Sequence, residues 1–175
     1  MPSMPEFAAG PQISAQAKEL VRKGQRGAAI ELLESAIQEH PSDAFFINQV
    51  AHLYREERNP GKAIEYFEKS REINPRDMAT INALGRLYAG QGRATEAERV
   101  LLKGREIDPD SMFTITTLGK LYAEQGRTTE AERILLEGRE IDPRNRAVIN
   151  MLENLRRGAR PHRRGQPPDR SPRNG

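Results

Sequence analysis

The stretch Met78–Ser111, MATINALGRLYAGQGRATEAERVLLKGREIDPDS, is followed at once by Met112–Asn145, MFTITTLGKLYAEQGRTTEAERILLEGREIDPRN; 24 of the 34 aligned positions are identical. A unit this short cannot bury its apolar residues by itself. Tandem copies bury them against one another, which builds a solenoid. The period extends outward from this pair. Pro41, Pro75, Pro109 and Pro143 lie 34 apart, as do Ala29, Ala63, Ala97 and Ala131. Tyr54, Tyr88 and Tyr122 form a third ladder with Leu20 in the same register, and Leu33, Phe67, Leu101 and Leu135 form a fourth.

Each unit reads as two helices. Ile81, Leu84, Leu87 and Tyr88 recur at helical spacing. Gly85 and Gly119 fall on that apolar face, where glycine costs roughly 1 kcal/mol of helix propensity, so a close approach by a second helix is expected there. Gly92 and Gly126 stand where a left-handed residue closes a helix. A second apolar run follows through Ala97, Val100, Leu101 and Gly104. Thr95 with Glu98, and Thr129 with Glu132, have capping-box spacing at its start. Asp108-Pro109 and Asp142-Pro143 end it, since proline constrains its predecessor and cannot continue the helical ladder.

A 34-residue helix–turn–helix unit carrying Leu84-Gly85, Tyr88, Gly92, Ala97, Leu101 and Pro109 resembles the tetratricopeptide repeat. The resemblance covers about residues 10 to 145, with a partial further helix after it. The family often places Trp where this chain has Ile13, Ile47, Ile81, Ile115 and Ile149, and the chain has no Trp. The expected fold is all-α: a right-handed α-solenoid of about four 34-residue helix–turn–helix repeats plus a C-terminal capping helix.

The domain reading follows. Residues 1–11, rich in proline, form a flexible leader. The solenoid occupies 12–157, with repeats at about 10–43, 44–77, 78–111 and 112–145 and a capping helix at 146–157. The first repeat is degenerate, with Gln16-Ala17 in place of Leu-Gly; its helices are expected at Gln12–Lys23 and Gly27–Glu39. In the second repeat Asn59 takes either the left-handed closing position or the N-cap, and Pro60 suits the first turn of the next helix. Residues 158–175, an Arg/Pro/Gly-rich stretch without apolar periodicity, read as a disordered tail.

Composition narrows the function. No apolar run approaches the roughly 20 residues that span a bilayer, and residues 1–10 lack the charged and apolar regions of a signal peptide. Cysteine is absent, which excludes disulfides and thiolate metal sites and suits a cytoplasmic protein. His40, His52 and His162 show no metal-ligand spacing. Gly90-Gln91-Gly92 closes a helix and follows no strand, so it is not a phosphate loop, and no serine sits in a nucleophile elbow. No enzyme activity, cofactor or metal is expected. Charge is unevenly spread: residues 156–175 carry seven arginines and one acid, a net of +6, against −3 for residues 1–155.

The resemblance implies that the first helix of each repeat lines a concave groove that binds a protein or peptide. Beside the packing stripe Ile47, Val50, Ala51, Tyr54 runs a second one, Phe45, Asn48, His52, Arg55. Across repeats this makes a basic row, Lys18, His52, Arg86, Lys120, if His52 is protonated. It also makes an uncharged polar row, Ser14, Asn48, Asn82, Thr116, Asn150. Aligned amides bond the backbone of an extended peptide and a basic row favours carboxylates. Phe45 and Phe113 are apolar anchors, Phe113 replacing the Ala79 of the twin repeat. The carboxylate clamp known in the family is not expected, because its places hold Ser14 and Lys18, Gln49, then Ala79 and Ala83. On the outer helices, Glu96 and Glu130 are expected to pair with Arg99 and Arg133.

The leading expectation is therefore a non-enzymatic scaffold or adaptor that holds an extended peptide or helix, acidic or carboxylate-bearing. A second reading is nucleic-acid or other polyanion binding through Arg156, Arg157, Arg160, Arg163 and Arg164, salt-sensitive and without an aromatic to stack on bases. A third is a self-assembling structural repeat protein, a homo-oligomer in which copies cover Phe45 or Phe113.

Overall fold

The computed structural model describes residues 9–158. These residues form paired helices and no strand: α1 (Ala9–Arg22) with α2 (Arg26–Glu39), α3 (Ala44–Glu56) with α4 (Pro60–Ile73), α5 (Met78–Gly90) with α6 (Ala94–Ile107), α7 (Met112–Glu124) with α8 (Thr128–Ile141), and then α9 (Arg146–Gly158). Each helix packs on its neighbours in sequence, and α5 also touches α7, as α7 touches α9. This is a helical-repeat solenoid. Helix α1 starts at Ala9, so residues 9–11, expected in the leader, belong to a helix. The remainder of the leader, and the tail beyond Gly158, lie outside the described residues.

Small residues set the distance between paired helices. A Cβ on Gly85 would lie 2.5 Å from Leu101 Cδ2, and one on Gly119 would lie 2.7 Å from Leu135 Cδ2. The opposite helix answers with its own glycines: Cβ atoms on Gly104 and Gly138 would approach Ile81 and Ile115 to 2.9 and 2.7 Å. Leu84, Leu101, Leu118 and Leu135 are wholly buried between the paired backbones. Ile47, Ile81 and Ile115 are buried too, at the register where the tetratricopeptide resemblance leads one to expect tryptophan.

Polar caps start the first helices. Asp43 accepts from Phe45 N, Asp77 from Ala79 N and Thr80 N, and Ser111 from Thr114 N. Asn59 serves as the N-cap of α4, accepting from Lys62 N, while Arg58 takes the left-handed backbone with φ 57°. Gly24, Gly92 and Gly126 hold the same register with φ between 71° and 78°. The capping boxes at Thr95 and Thr129 do not form. Helices α6 and α8 are entered directly from Arg93 and Arg127, whose carbonyls accept from Ala97 and Ala131, so the threonines lie inside the first turn. Glu98 instead accepts from Tyr122 Oη and Arg127 in the next repeat.

Charged pairs follow helix entry rather than the expected spacing. Glu96 and Glu130 pair backwards with Arg93 and Arg127, not forward with Arg99 and Arg133. Arg93 and Arg127 are aimed at these acids because each lies over a tyrosine ring, Tyr88 at 4.4 Å and Tyr122 at 4.2 Å. Among the described residues no helix is long and apolar enough to cross a membrane.

Candidate functional site

Successive first helices stand side by side, so the stripe flanking each packing face turns toward the next repeat. Two adjoining hollows open along this face. One, of about 320 Å³, is lined by His52 and Arg55 of α3, Asn82, Arg86 and Leu87 of α5, and Phe113 of α7. The other, of about 520 Å³, is lined by Arg86 again, by Phe113, Thr116, Lys120 and Glu124 of α7, and by Met151 of α9. Arg86 and Phe113 belong to both. The Arg86 guanidinium lies over the Phe113 ring at 5.7 Å from its centre, so cation and ring hold each other at the junction.

The structure thus brings together His52, Asn82, Arg86, Phe113, Thr116 and Lys120. Lys18 and Phe45 meet elsewhere, in a hollow of about 930 Å³ between α1 and the start of α3, where Phe45 is 54% exposed. Asn48 and Asn150 line none of the three. Arg55, Met151 and Glu124 join the face without having been among the expected site residues. Arg55 stands one turn beyond His52 in the same stripe, which is the signal that marks it. Met151 belongs to a neighbouring stripe and carries no such signal.

The polar row is not a ladder of free amides. Ser14 is buried and donates to Gln49 Oε1 at 3.0 Å. Asn48 Oδ1 accepts from Thr80 at 3.1 Å, and its amide reaches Asp77. Asn82 Oδ1 accepts from Thr114 at 3.4 Å, while Thr116 donates back to the Met112 carbonyl of its own helix. The cause is the lateral packing of first helices: a polar group on that flank meets the next repeat before it meets solvent. Asn82 keeps its place on the hollow as well as its bracket to Thr114.

Nor is the basic row uniform. His52 is half-buried with its ring edge-on to Phe67 at 5.1 Å between centres. Burial, reinforced by the nearby Arg55 charge, pushes its imidazole below the ordinary histidine range. The fixed cations of the face are Arg55, Arg86 and Lys120. Lys120 has Glu124 one turn away at 3.7 Å, an exposed pair that contributes little. Over an apolar floor of Leu87, Phe113 and Met151, the rim carries more positive than negative charge.

Of the arginines put forward for polyanion binding, Arg156 and Arg157 lie exposed on the last turn of α9, where Arg157 approaches Glu153 at 3.7 Å. Arg160, Arg163 and Arg164 lie outside the described residues.

Comparison with known proteins bears on the fold. The tetratricopeptide repeat family model matches residues 54–113. No curated protein matches the sequence. Among solved structures, one of MamA superposes with a TM-score of 0.77 at 16% identity, over 85% of this chain and 81% of the other. YrrB, described as a tetratricopeptide-repeat protein with an unusual peptide-binding site, gives 0.71 at 18% identity over 85% and 76%. The first tetratricopeptide domain of Spaghetti, bound to the HSP90 peptide SRMEEVD, gives 0.62 at 15% identity over 66% and 91%. At these identities the likeness is one of fold.

Proposed function

We propose that this chain, built of tetratricopeptide repeats, is a non-enzymatic scaffold that captures an extended segment or a helix of a partner protein along α3, α5, α7 and α9. The observation that carries the reading is the pair of hollows joined through Arg86 and Phe113. Two depressions that share a wall make a track, and a track suits an elongated ligand better than a compact one. Arg55, Arg86 and Lys120 favour a ligand with carboxylates, and the floor of Leu87, Phe113 and Met151 takes an apolar side chain between them. Two relatives in fold support the reading by analogy: YrrB has a peptide-binding site, and the Spaghetti domain holds a peptide ending in Glu-Glu-Val-Asp. The present face reaches similar chemistry with other residues, since its clamp positions hold Ser14, Lys18, Gln49, Ala79 and Ala83.

The test is a capture experiment with the intact chain, with Arg86→Glu/Lys120→Glu, and with a chain ending at Gly158. A protein retained by the intact and shortened chains and lost with the charge reversal supports the groove. A protein retained by the reversal and lost on shortening refutes it and moves the function to the arginine-rich end.

A further inference from the structure

The two near-identical repeats differ at ten positions, and two of those differences fall in one place on the side of the second helices. Where α6 meets α8, Arg105 of one repeat binds Glu137 of the next. One repeat earlier, where α4 meets α6, the equivalent residues are Arg71 and Lys103. Two cations stand where the other junction has an ion pair. The second difference is Val100 in place of Ile134, one methylene smaller. A hollow of about 400 Å³ lies at the earlier junction, lined by Arg71, Arg99, Val100, Leu102 and Lys103 over Ile81. Leu102 is 40% exposed beside it, whereas its counterpart Leu136 is partly buried against the core.

We propose that this hollow is a second binding site, for a partner segment that presents a carboxylate next to an aliphatic side chain. Charge complementarity argues for that occupant. Arg71, Arg99 and Lys103 face one lining carboxylate, Glu106, which Lys103 holds along its own helix. Arg71, which lines the hollow, also holds Glu68 along its helix through Nε and Nη2, one edge of its guanidinium. A ligand carboxylate between Arg71 and Lys103 takes the position that Glu137 takes at the next junction, so the site completes a contact the fold already makes once. The aliphatic side chain covers Leu102 and Val100. The proposal does not rest on the groove, which lies on the first helices.

The experiment is a residue-resolved NMR titration of the full chain with a soluble peptide of alternating Glu and Leu. Amide shifts from Arg99 to Glu106 report this hollow, and those of α5 and α7 report the groove separately. Binding read at 99–106 is expected to weaken at least tenfold in Lys103→Glu, which supplies its own carboxylate to Arg71. Conversely, Glu137→Lys with Ile134→Val is expected to create a matching set of shifts between Arg133 and Glu140. Absence of shifts at 99–106, equal binding in Lys103→Glu, or no new site in the double variant would each overturn the proposal.

Discussion

Arg58 holds a left-handed backbone, φ 57°, at the register where Gly24, Gly92 and Gly126 close the other first helices. A side chain in that conformation costs roughly 1–2 kcal/mol, part of which glycine gives back as chain entropy. Arg58→Gly is therefore expected to raise unfolding stability by about 0.5–1 kcal/mol, read as a higher urea midpoint at unchanged slope. An unchanged midpoint would mean the turn carries no such strain. Glycine to alanine has opposite signs at two other helical sites. Gly85→Ala drives a Cβ to 2.5 Å from wholly buried Leu101, and overpacking of that kind costs about 1–3 kcal/mol. Gly27→Ala, in α2, meets nothing within 4 Å and gains helix propensity of about 0.5–1 kcal/mol. Thermal melts that moved both variants in one direction would contradict the packing argument. The sequence displayed the Gly85 constraint because a glycine on an apolar helical face has few other reasons to be there. It hid the Arg58 turn, because Asn59-Pro60 next door offers two plausible placements and only the backbone decides between them.

Repeats are bracketed to one another by tyrosines. Tyr54 Oη donates to Glu34, Tyr88 Oη to Glu68 at 2.7 Å and Tyr122 Oη to Glu98, each from a first helix to the second helix of the repeat before. The tyrosine ladder was plain in the sequence and its partners were not. Glu34 and Glu68 keep the period, but the next place holds Leu102, and Tyr122 reaches one turn back to Glu98. Side-chain direction along a helix, which spacing alone does not give, chooses the partner. Tyr88→Phe removes a hydrogen bond to a charged acceptor and is expected to cost about 1.5–3 kcal/mol. It also alters the alkaline limb. Burial and the Glu68 carboxylate push the Tyr88 hydroxyl up to about 12 from its ordinary 10.0. The folded chain keeps a proton that the unfolded chain releases. The contribution is then complete below about pH 10 and is lost as pH rises from there through about 12. Stability measured from pH 9 to 11.5 should fall for the parent and fall less steeply for Tyr88→Phe; parallel curves would remove Tyr88 from the account.

At the scale of the molecule, the helical-repeat architecture was legible because four ladders at one period leave almost no other solution. The face along the first helices was legible only as stripes. Which polar residues remain available depends on lateral contacts, and these consume Asn48 and Ser14 while sparing Arg86 and Lys120. The same lateral logic governs stability. The buried apolar residues form two clusters, one spanning α1–α3 and the other running from Ala51 of α3 to α9, with Tyr54 and Tyr66 packed against both. Helix α9 closes the second cluster through Val148 and Leu152, and Val148 sits where a Cβ on Gly138 would meet it at 3.5 Å. A chain ending at Asn145 forfeits about 1.5–3 kcal/mol for each of those two side chains and leaves the apolar faces of α7 and α8 open to water. In a solenoid such a loss is felt first by the nearest neighbour, because each repeat is stabilised by its own packing and by the interfaces it shares. Amide hydrogen exchange on the shortened chain is therefore expected to quicken most in α8 and α7, less in α5 and α6, and least in α1 and α2. Equal acceleration along the whole chain would mean that the two clusters unfold as a single cooperative unit, with the Tyr54–Tyr66 stack coupling them more tightly than nearest-neighbour packing implies.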